Sequence, residues 1–137
     1  MVVSAVRAVN GDVDFEQALA GQLNPLGEPL YRKLEPTGYS NRSTDWMNSA
    51  SLLARLNFSM ALVQNKIGGV KVDTTLFQGD APEIERRILL TPASPESQAA
   101  IQAGMEAQQT PDKPQTPDKT ASMIAGLTLG SPDFQRR

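Results

Sequence analysis

The sequence contains no cysteine and no histidine in its 137 residues. Without cysteine there is no disulfide framework, no thiolate zinc site and no thiol nucleophile, and the redox compartment is left open. Without histidine the commonest metal ligand and the commonest general base are missing. The two absences together remove most ordinary catalytic constellations from this chain, and no metal or cofactor is expected. Aromatics are scarce at 5%, with one Trp, two Tyr and four Phe. Neither sign of charge prevails, since 13 basic and 15 acidic side chains give a formal charge of −2. Lys and Arg are nowhere massed beside aromatics as a phosphate-tracking groove requires, so no nucleic-acid partner is expected. No apolar run approaches the roughly 20 residues that a membrane-crossing helix needs. The opening MVVSAVRAVNGDVDF lacks the basic start and long apolar block of a secretory signal.

What is present suits one domain with a modest core. The hydrophobic fraction is 39%, and ten Pro with ten Gly imply a loop-rich fold. The chain is organised around residues 34–72, which hold the only Trp and the longest stretch free of Pro and Gly, 39–67. Ser43 and Thr44 are capping types, and Asp45 puts a negative charge in the first turn, so a helix over about 44–66 is predicted. At about 100° per residue, Asn48, Ser51, Arg55, Ser59 and Lys66 fall on one narrow polar stripe. Trp46, Met47, Ala50, Leu53, Leu56, Met60, Ala61 and Val63 spread over most of the remaining circumference, with Leu52 and Leu62 flanking the stripe. So wide an apolar arc predicts a core helix packed on several sides. Gly68 and Gly69 suit the left-handed cap at its end.

Asn57 projects into the middle of that arc, between Trp46 and Ala50. A buried amide costs a few kcal/mol unless it is hydrogen-bonded. The preferred reading is that Asn57 satisfies the backbone of a neighbouring loop and fixes how it docks. The sharper reading is that it faces a polar ligand pocket. Ahead of the helix, Pro36, Thr37, Gly38 and Tyr39 read as a turn. With Ser40, Asn41 and Arg42 they gather small and polar groups beside an aromatic. Tyr39 and Trp46 offer flat faces and Asn41 and Arg42 offer donors, which would suit a glycan or peptide. The structural alternative, a turn that wraps the core helix with Trp46 in the core, is preferred.

Elsewhere the pattern predicts a series of short helices. Residues 2–9 place Val2, Val3, Ala5, Val6 and Val9 at helical spacing and are expected to form a helix, although the valines would also suit a strand. Asn10, Gly11 and Asp12 break that helix, and Asp12 or Val13 opens a second one running to Leu23, with Phe15, Leu19 and Leu23 on one face. Residues 70–77, VKVDTTLF, read as a short extended piece or one helical turn, with irregular structure preferred, since a lone strand there would have no partner. Asp80 caps a short amphipathic helix to Leu90, and Ser94 caps another to about Gln108, weakened at Gly104. Residues 109–120 repeat TPDK among three prolines without one large apolar side chain, and read as a mobile loop or linker. A helix resumes over 121–129, and Ser131 with Pro132 opens a last turn that tucks Phe134 against the core.

Two acidic groups invite chemistry and fail on spacing. Asp12, Asp14 and Glu16 resemble the start of a calcium loop, but the required Gly and Glu positions fall on Gln17 and Leu23. Glu83 and Glu85 lie two apart on a helix, point to different sides and read as a solvated face paired with Arg86 or Arg87.

Two stretches carry a resemblance. Residues 30–62, LYRKLEPTGYSNRSTDWMNSASLLARLNFSMAL, hold a Pro-Thr-Gly-Tyr turn, a Trp, an apolar helix and an Arg-x-Asn-Phe centre at Arg55, Asn57 and Phe58. Residues 127–137 close with Gly-Ser-Pro-Asp-Phe-Gln-Arg-Arg. In order and spacing they are similar to the C-terminal part of the bacterial domain of unknown function family 1800. The resemblance implies the C-terminal piece of a longer, largely helical protein whose parent is exported. It supplies no activity and no catalytic residues.

The expected fold is all-α, an irregular bundle of six or seven short helices around the 44–66 helix. The expected function is a non-catalytic structural or interaction module. Its partners would be the upstream region of the parent and another exported protein or a glycan. A glycan- or envelope-binding module using Tyr39, Asn41, Arg42, Trp46 and Asn57 is one alternative. A share of an active site completed by the upstream region is another.

Overall fold

Helix α1 (Val2–Ala8) forms where the valines keep helical spacing, and it buries Val2, Ala5 and Val6, with Val9 just beyond its end. The computed structural model describes residues 1–14, 16–26, 42, 49–108 and 116–135. Among these the chain continues as β1 (Asp12–Val13), α2 (Glu16–Leu23), α3 (Ser49–Val63), β2 (Val70–Lys71) and a 3-10 turn (Thr74–Phe77). It finishes with α4 (Ala81–Leu89), α5 (Pro95–Gln108), α6 (Pro117–Gly130) and α7 (Pro132–Gln135). The fold is all-α apart from one short antiparallel pair, in which Asp12 lies opposite Lys71 and Val13 opposite Val70. Among the described residues no helix is long and apolar enough to cross a membrane.

That strand pair arises because two helices end alike. At the end of α1, Asn10 takes a left-handed φ of 48°. Its N–H then reaches the Arg7 carbonyl at 3.2 Å, and the Gly11 N–H reaches that of Val6 at 2.8 Å. At the end of α3, Asn65 takes φ 54°, donating to Leu62 at 3.1 Å while Lys66 donates to Ala61 at 2.9 Å. Both are Schellman ends with asparagine in the left-handed position, which its short side chain tolerates. The first leads directly into β1, the second into β2 by way of a further turn in which the Val70 N–H reaches the Ile67 carbonyl at 3.2 Å, and the two extended pairs meet.

Three expectations are corrected by this. Asp12 and Val13 belong to a strand, and α2 starts at Glu16. Helix α3 ends at Val63, ahead of the Gly68–Gly69 pair, and Gly69 at φ 78° instead leads into β2. Residues 70–77, expected to be irregular, form β2 and a 3-10 turn capped by Asp73, whose Oδ1 accepts the Thr75 N–H at 3.0 Å. A strand partner this distant in sequence, Val70 opposite Val13 and Lys71 opposite Asp12, is set by the folded chain. Of the predicted caps, Ser94 accepts the Ser97 N–H at 3.3 Å, whereas Asp80 makes no side-chain cap bond.

The bundle expected from the sequence is present, but its hub is α6. Helices α3, α4, α5 and α7 and the 3-10 turn all pack on it. It begins at Pro117, four residues ahead of the expected start, and buries Ser122, Met123, Ile124, Ala125, Gly126, Thr128 and Leu129. Small residues make this possible, because neighbours can approach from several directions. A Cβ on Gly126 would fall 3.2 Å from Val63 Cγ2 and 3.4 Å from Met60 Cα, and onto Met60 Sδ. On Gly130 it would fall 2.7 Å from Leu56 Cδ1. Gly104, which weakens α5 on propensity alone, admits Leu127 of α6, whose Cδ1 lies 3.0 Å from where a Cβ would stand.

Helix α3 is also turned relative to its expected facing. Ser51 and Ser59, assigned to the polar stripe, are buried with Phe58, Leu62 and Val63. Leu52 and Leu53 are exposed. Serine can go inward because Ser59 Oγ donates to the Arg55 carbonyl one turn back, 2.9 Å away, so its hydroxyl needs no water. Thr128 does the same in α6, donating to Ile124 at 2.8 Å. Closing the chain, Phe134 of α7 is buried in the core as anticipated.

Candidate functional site

Of the five residues singled out for binding, Tyr39, Asn41 and Trp46 lie outside the described residues, as do the 36–39 turn and the Ser43 and Thr44 caps. Arg42 is exposed. Asn57 is exposed too, which corrects its assignment to a buried arc. The reason is the rotation of α3: with Ser51 and Ser59 inward, positions 50, 53 and 57 form the outward strip.

The role proposed for Asn57 is performed by Asn65. Its Nδ2 donates to the Val72 carbonyl at 2.9 Å, and its Oδ1 accepts the Val72 N–H at 2.6 Å. One amide thus replaces a strand partner for Val72 and fastens the chain after β2 to the end of α3. The available signal was asparagine at the close of an apolar run, the same signal as Asn10 before Gly11. Asn65→Ala removes both bonds and puts an alanine at a left-handed φ, and is expected to cost about 2 kcal/mol in urea denaturation. Asn65→Gly loses the bonds but keeps the backbone relaxed, and should lose less.

A second polar assembly joins the two stretches that carry the family resemblance. Arg55 Nη1 donates to Gln135 Oε1 at 3.0 Å, and Gln135 Nε2 donates to the Gly130 carbonyl at 2.8 Å. Asp133 Oδ2 accepts the Ser94 N–H at 2.7 Å, at the start of α5. Ser131 Oγ accepts the Phe134 N–H at 3.4 Å, capping α7. Each of these bonds ties one element to another or caps a helix. The Arg-x-Asn-Phe centre and the Gly-Ser-Pro-Asp-Phe-Gln closing segment are therefore halves of one clamp, in which Arg55 and Phe58 point inward and Asn57 outward. Charge-assisted hydrogen bonds of this kind carry roughly twice the strength of neutral ones.

The acidic candidates divide. Asp14 pairs with Lys71 at 3.7 Å on the surface, where such a pair contributes little. Among the described residues no group of three or more acids is arranged to hold a metal ion. Glu83 is exposed as expected, but Glu85 is only 6% exposed, which corrects the solvated-face reading. Position 85 lies one turn from Ala81, Ile88 and Leu89, within the arc that α4 buries. Burial pushes its carboxyl above the usual range. Arg87, expected to pair with these acids, donates instead to the Leu76 carbonyl at 2.8 Å.

No curated protein and no solved structure matches the chain. The model of one family, described as protein of unknown function (DUF1800), matches residues 1–136. The match extends far beyond the two stretches in which the resemblance was legible, through the Asn10 and Asn65 helix ends, the α6 hub and the Arg55–Gln135 clamp. This chain belongs to the DUF1800 family of proteins of unknown function.

Proposed function

We propose that this chain is a non-catalytic interaction module of a larger exported bacterial protein, and that it meets the rest of that protein through the outward strip of α3. The observation that carries this reading is a pair of adjacent leucines, Leu53 at 58% and Leu52 at 46% exposure, on an otherwise core-forming helix. Leu53 shares its strip with Ala50 and Asn57, so an apolar anchor stands beside one amide that can both donate and accept. Apolar side chains exposed next to each other are more informative than the same residues scattered singly.

The test is binding of this chain to the separately produced upstream region of its parent, measured by calorimetry. Leu53→Arg is expected to weaken that complex at least about tenfold, because it places a charge in the contact. As a surface substitution it should change the stability of the chain alone by no more than about 0.5 kcal/mol. Equal binding by the wild type and Leu53→Arg overturns the assignment of the strip.

A further inference from the structure

Among the residues whose side chains are described, Glu85 is the only charged one that is buried. The other buried polar side chains there are hydroxyls, and Ser59, Ser97, Thr128 and Ser131 all have hydrogen-bond partners within a turn. No hydrogen bond or ion pair reaches Glu85 from any described residue. Neither carboxyl oxygen is sealed from water, so a proton can arrive and leave.

Among the described residues the elements packed on α4 offer Glu85 no compensating charge. Helix α6 is without a titratable group from Thr120 to Gly130, and its Asp118 and Lys119 are exposed in the first turn. Helix α1 carries only Arg7, which is exposed. Helix α7 brings Asp133, an acid already engaged with the Ser94 amide. On α4 itself Glu83, Arg86 and Arg87 are on the exposed side.

We propose that Glu85 is a proton-operated latch, whose neutral form seats α4 in the bundle and whose ionised form loosens it toward water. An unpaired carboxylate in this position disfavours the packed state, whereas a carboxylic acid does so far less. The pH dependence follows in sign. Because its folded-state carboxyl is raised above the usual carboxylate value, the folded chain binds the proton more tightly than the unfolded chain. Stability is therefore greatest in mild acid, falls as pH rises through the window between the unfolded and folded values, and levels off above it. Asp73 works in the opposite sense at lower pH. The Thr75 hydroxyl, and then its amide, hold the Asp73 carboxyl below its ordinary value, so its effect is confined to stronger acid.

The experiment is a series of thermal melts from pH 4.5 to 7.5 at constant ionic strength, with amide exchange protection read for α4. The wild-type Tm is expected to fall by about 3 °C over this range, and protection in α4 to fall several-fold. In Glu85→Gln the fall should disappear, with a Tm above wild type at pH 7. A pH slope unchanged by the substitution overturns the latch. Direct NMR titration of the Glu85 carboxyl in the wild type is independent of how the variant folds. A midpoint at or below that of an ordinary glutamate also overturns it.

Discussion

Replacing Leu62 with alanine is expected to destabilise the chain by about 3 kcal/mol, against no more than about 0.5 kcal/mol for Leu53→Ala nine positions earlier on the same helix. Both are leucines in α3, and composition does not distinguish them. Leu62 is 1% exposed, and its carbonyl accepts the Asn65 N–H at the helix end. Truncation leaves a void in the buried core that tightly packed neighbours fill only in part. A small domain has roughly 5–15 kcal/mol in total, so the Leu62 variant should melt many degrees lower. Urea denaturation of the two variants in parallel is the check. Equal losses would mean that α3 does not face the way described here.

The second large effect is expected at Gly126, where α6 meets α3. Valine there adds a Cβ onto Met60 Sδ and close to Val63 Cγ2, and two further methyls behind it. Overpacking of this order costs about 3 kcal/mol. Alanine should cost less, because Met60 is flexible and the gain in helix propensity, about 1 kcal/mol, offsets part of the crowding. The decisive measurement is a double-mutant cycle. Met60→Ala vacates the space that the Gly126→Val side chain needs, so the double variant should be more stable than the sum of the single losses implies. Simple additivity would mean that the two side chains do not meet.

The two substitutions bracket what could be read in advance. Helices α1, α4 and α5 and the close of α6 stand where periodicity, Pro95 after Ser94, and Gly130 put them, because those signals act within a few residues. The facing of α3 was not legible in this way. Ser51 and Ser59 were assigned to solvent by polarity, yet a hydroxyl bonded to its own helix is as small as alanine and suits a tight helix contact. The same reasoning explains why α6, with its Ser, Ala, Gly and Thr, was undervalued beside the greasier α3. The candidate site fared similarly. Arg55, Asn57 and Phe58 were marked as a group by resemblance, but their opposite directions appear only once α3 is set against α6 and α7.

By itself the sequence determined the all-α class, most helix positions and the absence of histidine and cysteine chemistry, since composition, caps and periodicity are local properties of the chain. Tertiary structure alone decided which side of α3 is inside, that Asp12–Val13 finds Val70–Lys71, that Asn65 holds Val72 and that Glu85 is buried without a partner among the described residues. Those outcomes depend on which surfaces come within van der Waals distance: the facing of α3 is set by the small residues of α6, which admit Leu56, Met60 and Val63, more than by the hydrophobicity of any single segment.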